Sequence, residues 1–119
     1  MYNIFIYEDN KGKSEINEYL KKLRKSNEKK DIILINKIRM YLNLLSEYGL
    51  TLGEPYIKRI NSEIWELRPI RNRILFAYVD NNSFVLLSYF IKKTRKTPKN
   101  EIEKSMRCLE DYKRRFYNE

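Results

Sequence analysis

Histidine is absent from this 119-residue chain, and cysteine occurs once, at Cys108. The first absence removes every histidine-based catalytic triad and most transition-metal sites. The second removes an internal disulfide and any cysteine-based zinc cluster. Chemistry must come from Lys, Arg, Tyr, Ser, Thr or carboxylates, and neither a metal nor another cofactor is expected. Three glycines and three prolines are too few to mark a linker, and no repeat or low-complexity run is present, so a single domain over residues 1–119 is expected. No stretch approaches the ~18 apolar residues of a membrane span, and the first residues lack the basic start and the length of an export signal. A cytoplasmic protein with no membrane partner is expected. What the chain does have is 42% apolar residues, enough for a domain that buries ~65% of its unfolded surface, and a formal charge of +9.

That charge is clustered. Between Lys58 and Lys99 ten Lys and Arg face only Glu63, Glu66 and Asp80, a net +7. The densest part is Phe90-Ile91-Lys92-Lys93-Thr94-Arg95-Lys96-Thr97-Pro98, where an apolar strand runs into four cations and then into a Thr-Pro helix start. The first N–H groups of a helix lack internal partners and carry the positive end of its dipole, so cations ahead of them make a trap for phosphate. A basic segment of this kind is the usual footprint of a nucleic-acid site.

Periodicity divides the chain. Tyr2 to Tyr7 reads as a strand that stops at the turn cluster Glu8 to Gly12. Ile16, Tyr19, Leu20 and Leu23 share one face of a helix ending near Lys25. A second helix, from about Glu28 to Tyr48, carries Leu34, Ile35, Ile38, Tyr41, Leu42 and Leu45 and stops at Gly49. Four β-rich runs follow, Tyr56 to Ile60, Glu63 to Arg68, Arg73 to Val79 and Ser83 to Lys92, with tight turns between them that predict an antiparallel meander. Thr97 as cap and Pro98 at the first helical position open a last helix carrying Ile102, Met106, Leu109 and Phe116. The expected fold is α+β: an N-terminal strand and a helical hairpin on a mainly antiparallel sheet of four further strands, then a C-terminal helix. In the last strand both alternating sets, Phe84/Leu86/Ser88/Phe90 and Val85/Leu87/Tyr89/Ile91, are mostly apolar, so both sheet faces should be covered. The hairpin can cover one face; the other needs the last helix, a partner protein, or both.

This order, with Ile64-Trp65-Glu66-Leu67-Arg68, then Arg73-Ile74-Leu75-Phe76, then Leu86 to Pro98 and Glu101-Ile102, resembles the RelE/HigB toxin superfamily, and within it the phage-derived HigB-like branch. The resemblance implies a RelE-like fold and a toxin of a toxin–antitoxin system. Such a toxin is an endoribonuclease, or mRNA interferase, that enters the ribosome and cuts messenger RNA without metal. It also implies a cognate antitoxin, of the HigA-like type with a helix-turn-helix domain. Two other readings stand beside it: a ParE-like inhibitor of DNA gyrase with no catalysis, and a non-toxic nucleic-acid-binding module.

RNA cleavage of this type uses the substrate's own 2′-hydroxyl as nucleophile, so the protein must orient the chain, accept a proton and stabilise charge on the phosphorane. A guanidinium suits the last task, because its planar fork donates two parallel hydrogen bonds and stays charged. By resemblance the catalytic candidates are Arg73, which opens the strand after the W-E-L-R turn, Arg68 of that motif, and Lys93. Glu66 shares the strand face of Arg68, so an internal ion pair is the alternative there. Lys92 and Lys93 alternate faces, and one of them is expected over the site while the other grips the RNA backbone. Arg71, Arg95 and Lys96 are candidate phosphate contacts. Tyr89 and Tyr78 are candidates for base stacking, Trp65 is expected in the core, and Lys113, Arg114 and Arg115 are expected to be a solvated helix end. Departures are visible too. Ile64 and Glu66 stand where some relatives present lysines, and the late tyrosine that some use as a base falls near Lys99. A lysine of depressed pKa, Glu66, or a ribosomal group remain alternatives for the base.

Overall fold

The computed structural model describes residues 1–117. Strand β1 (Asn3–Ile6) leads into helices α1 (Glu15–Lys25) and α2 (Lys29–Tyr48) and a 3-10 turn (Gly49–Leu52). Strands β2 (Ile57–Arg59), β3 (Trp65–Leu67), β4 (Asn72–Val79) and β5 (Ser83–Ile91) follow, and helix α3 (Lys99–Phe116) ends the fold. The order is the one the sequence predicts. Strands β2 and β3 are shorter than their apolar runs because the Asn61 side chain accepts from the backbone N–H of Glu63 and Ile64, at 2.9 and 2.8 Å, and bends that stretch out of the ladder.

Each helix boundary has a chemical cause. Ser14 caps α1 by accepting from the Asn17 N–H at 3.1 Å, which satisfies one orphan donor of the first turn. Gly49 ends α2 at φ +61° with the Tyr2 ring against it, and an added Cβ would lie 2.5 Å from that ring. Only glycine fits both the left-handed backbone and the close ring.

The sheet runs β1-β5-β4-β3-β2. It is mixed: β1 pairs parallel with β5, while β5/β4, β4/β3 and β3/β2 are antiparallel. One face carries Leu67, Ile74, Phe76, Phe84 and Leu86 against Ile16, Leu20, Ile35, Ile38 and Leu45 of the hairpin. The opposite face carries Leu75, Ala77, Val79, Val85 and Leu87 against Leu109 and Tyr112 of α3. The C-terminal helix therefore covers the second face. Its far end is tied to β1 and the sheet by polar bonds: the Tyr7 hydroxyl donates to Asp111 at 2.7 Å, and Lys113 meets Glu63 at 2.6 Å. Burial, and then the carboxylate it donates to, push the Tyr7 phenol up to about 12. Arg114 and Arg115 both pair with Asp111, so the tail cations are solvent-exposed, as expected, and also engaged in surface ion pairs.

One irregularity sets the geometry of the site. Leu75 pairs with Ser88 but Phe76 pairs with Leu86, which leaves Leu87 as the extra residue of a β-bulge. A bulge sends two successive side chains to one face and reverses the parity of everything beyond it. Leu86 and Tyr89 accordingly share the hairpin face, and Leu87 and Phe90 share the α3 face.

Candidate functional site

Beyond the bulge, the end of the α3 face is polar. Glu66 and Arg68 on and just after β3, Arg73 on β4, Phe90 at the end of β5, and Lys92, Thr94, Arg95, Lys96 and Thr97 of the β5–α3 connection meet in one cluster. Glu66 is its centre. The residue is only 3% exposed, and its Oε1 lies 3.4 Å from Arg68 Nε and 3.8 Å from Arg73 Nε, while Oε2 accepts from the Thr97 hydroxyl at 2.6 Å. A carboxylate buried this deeply is tolerable because cations and a hydroxyl surround it. The internal ion pair left open for Arg68 is present, and Glu66 extends it to a second arginine and to the chain leading into α3.

The two arginines are not equivalent. Arg73 is 6% exposed, and its Nη1 donates to the carbonyls of Ile70 and Asn72 at 3.0 and 2.9 Å. Burial and the neighbouring Arg68 charge pull its pKa below the usual arginine value, opposed by Glu66. Arg73 is thus a bolt across its own turn and not a solvated turn cation. Arg68, with its side chain 21% exposed, has its Nε within ion-pair range of Glu66 but without a hydrogen bond, and it is the more accessible of the two. The bolted turn is strained, since Ile70 sits at φ +57° and is half exposed. A β-branched residue there costs about 1–2 kcal/mol. Ile70→Gly should therefore raise stability by about 0.5–1 kcal/mol after the entropic cost of glycine is deducted; a urea midpoint that does not rise would show that Arg73 already relieves the strain.

The bulge decides between the lysines. Lys92, two residues beyond Phe90, lines the cluster. Lys93 is exposed beyond the strand end and is not among the residues that line the cluster. Unbroken alternation from Leu86 would have turned Lys92 to the hairpin side; the extra residue reverses this. Tyr89 is likewise sent to the hairpin face, where it stacks on Tyr19 at 3.9 Å between ring centres, away from the cluster. Tyr78 packs edge-on to Phe84. Arg71 is exposed and outside the cluster, its guanidinium donating to the Lys92 carbonyl at 3.0 Å while the Lys92 N–H donates to the Arg71 carbonyl at 2.7 Å. Arg95 and Lys96 do line the cluster and are exposed. Trp65 is half-buried against the hairpin core, with Arg59 over its ring.

The start of α3 differs from the sequence expectation. Pro98, not Thr97, holds the cap position, with no side-chain cap bond, and Glu101 stands in the first turn. Thr97 spends its hydroxyl on Glu66 instead. One contributor escaped the sequence reading: Thr97 acts as a donor to a carboxylate 31 residues away, a contact that only the tertiary fold brings about.

The space among the lining side chains is only about 10 Å³, so nothing the size of a nucleotide enters; a ligand of this cluster lies across it. Five cations, Arg68, Arg73, Lys92, Arg95 and Lys96, surround one carboxylate, an excess suited to phosphodiester oxygens.

Comparison with curated proteins finds no match. The model of a phage-derived protein family, Gp49-like (DUF891), matches residues 18–110, from within α1 to within α3 and including the whole cationic cluster. The chain therefore belongs to the Gp49-like family of phage-derived proteins, a RelE-like, toxin-type family.

Proposed function

We propose that this chain is the toxin of a toxin–antitoxin pair, of the HigB-like branch, and that it cleaves messenger RNA on the ribosome. The observation that supports this reading best is the cluster itself: cations gathered around one buried carboxylate at the end of the α3 face, with no cavity among them. Such a surface suits a phosphate backbone laid over it and not a small molecule, which would need an enclosed apolar pocket. In the proposed reaction the 2′-oxygen attacks the adjacent phosphorus and the 5′-oxygen leaves, giving a 2′,3′-cyclic phosphate. Arg68 stabilises the charge that develops on the phosphorane. Lys92, in place of Lys93, exchanges the proton, and Arg95 and Lys96 anchor the strand, with Arg71 and Lys93 at the rim. Glu66, its carboxylate already held by three groups, serves to position the arginines and not as the base. A helix-turn-helix antitoxin of the HigA-like type is part of the same proposal.

The test is cleavage on ribosomes programmed with a message carrying a 2′-deoxy sugar at the cut. Cleavage should vanish there, and the all-ribose product should end in a 2′,3′-cyclic phosphate. A 3′-hydroxyl product, or full activity on the deoxy message, would sink the reading in favour of a gyrase-binding or purely binding protein. A binding prediction accompanies it. With about six phosphates engaged, affinity for RNA should fall by ~10³ between about 50 and about 200 mM salt, and Lys96→Ala should flatten the logarithmic slope by about one unit. An unchanged slope would remove Lys96 from the contact surface.

A further inference from the structure

The aromatic rings of the hairpin face do not all go into the core. Trp65 stands opposite Phe76, and Tyr78, two residues further along β4, stands opposite Phe84. Trp65 and Tyr78 are therefore diagonal neighbours on one face, about 7 Å apart at their Cβ positions. Strand β3 begins at Trp65, so the ladder stops there and Tyr78 is left 45% exposed. The two rings share an open groove of about 330 Å³ with Arg59, Ser62 and Leu50. Glu63 also lines it, but Lys113 neutralises that carboxylate at 2.6 Å. The flat groups are held in place. Arg59 donates through Nε to the Asn61 carbonyl at 3.0 Å and lies over the Trp65 ring, 5.9 Å from its centre. Tyr78 meets the buried Phe84 ring edge-on at 5.4 Å, so a ligand loses little freedom in ordering either of them.

From these planes we infer that the groove is a stacking subsite for an unpaired nucleobase of single-stranded RNA. Every base offers a flat π face, which aromatic rings and guanidinium planes bind with little regard to sequence. The Arg59 charge, with no unpaired carboxylate facing it, suits the phosphates on either side of such a base. A proline-rich segment also docks on aromatic grooves, but it has no use for that charge. Arg73 and Tyr78 lie five residues apart on β4, hence on opposite faces and ~17 Å apart along the strand. The RNA segment stacked here is therefore not the one laid over the cationic cluster. The inference rests on the proposed function only in that the chain binds RNA, and not on cleavage.

Trp65 is the one tryptophan of the chain, so its fluorescence reports on this groove alone. Single-stranded RNA about four nucleotides long, titrated into the full chain, should quench it. An abasic ribose-phosphate chain of equal charge should bind there at least about ten-fold more weakly. Tyr78→Ala should weaken the RNA by about ten-fold or more while circular dichroism stays native, because the ring is half exposed. Tyr78→Phe keeps the plane and should retain the affinity, and Lys96→Ala should leave the quenching unchanged. Equal quenching by the abasic chain, indifference to Tyr78→Ala, or loss in Lys96→Ala would overturn the inference. So would a proline-rich peptide that quenches where RNA does not, which would give the groove to a protein. Salt-dependent RNA binding through Lys96 without quenching would sink this inference alone. Quenching by RNA in a chain that cuts no message would uphold it and sink only the cleavage reading.

Discussion

Glu66→Ala is expected to lower folding stability by about 3–5 kcal/mol, the largest effect of any single polar substitution in this protein, because it strands a buried guanidinium. The carboxylate is 3% exposed and Arg73 6%, so neither water nor another acid can replace the lost partner. The Thr97 hydroxyl also loses its acceptor, which frees the chain between Lys92 and Pro98 from the sheet. Glu66→Gln should fall between wild type and Ala, since an amide oxygen still accepts from Thr97 but offers no charge to Arg73. Glu66→Leu combined with Arg73→Leu should cost less than the two single changes added together, the signature of a coupled pair. Urea midpoints decide the matter. A loss below about 1 kcal/mol for Glu66→Ala would mean that the cluster is hydrated and the carboxylate dispensable.

The second large effect separates the arginines by what they do. Arg68→Ala should reduce the proposed cleavage by about 10²–10³-fold while the protein stays folded, the usual cost of removing a donor that stabilises transition-state charge. Arg68→Lys should recover little of this, because a point charge cannot reproduce a planar fork. Arg73→Ala should instead cost stability, by about 2–4 kcal/mol, since it leaves Glu66 buried with less compensation and removes the bonds to the Ile70 and Asn72 carbonyls. Single-turnover cleavage and denaturant melts measured on the same preparations give the comparison. In the same assay Lys92→Met should be more damaging than Lys93→Met. Full activity in Arg68→Ala, or native stability in Arg73→Ala, would reverse the assignment.

Much of this architecture could be read in the residues, and the exceptions share one cause. Helix bounds followed from the spacing of Ile16, Leu20 and Leu23 and from Gly49, because local chemistry decides where a helix begins and ends. The cationic segment Lys92 to Lys96 was visible as a run of charge. Which lysine joins the cluster was not, because it depends on one extra residue at Leu87, and a bulge is a property of two paired strands. The same bulge turns Tyr89 to the hairpin face. Arg73 reads as a catalytic candidate at the head of a strand, beside the turn formers Pro69 and Asn72. Its burial comes from Glu66 and the turn folding over it, contacts that no local pattern encodes. Thr97 has the chemistry of a helix cap, and it was drawn away by a buried carboxylate on a strand distant in sequence.

The strand that the chain makes first is the one it can use last. Asn3 and Ile4 find their neighbours only at Ser83 and Phe84, whereas β4 and β5 are joined by three residues. Closing the longer loop costs roughly 2–3 kcal/mol more in chain entropy than closing the hairpin, so the meander should form early in folding and β1 should dock late. Glu66 likewise waits for Thr97, which follows the whole of β5. During synthesis, then, the cationic cluster has no fixed form until the ribosome has made the segment that leads into α3, and a growing chain presents its charges without the carboxylate latch that arranges them.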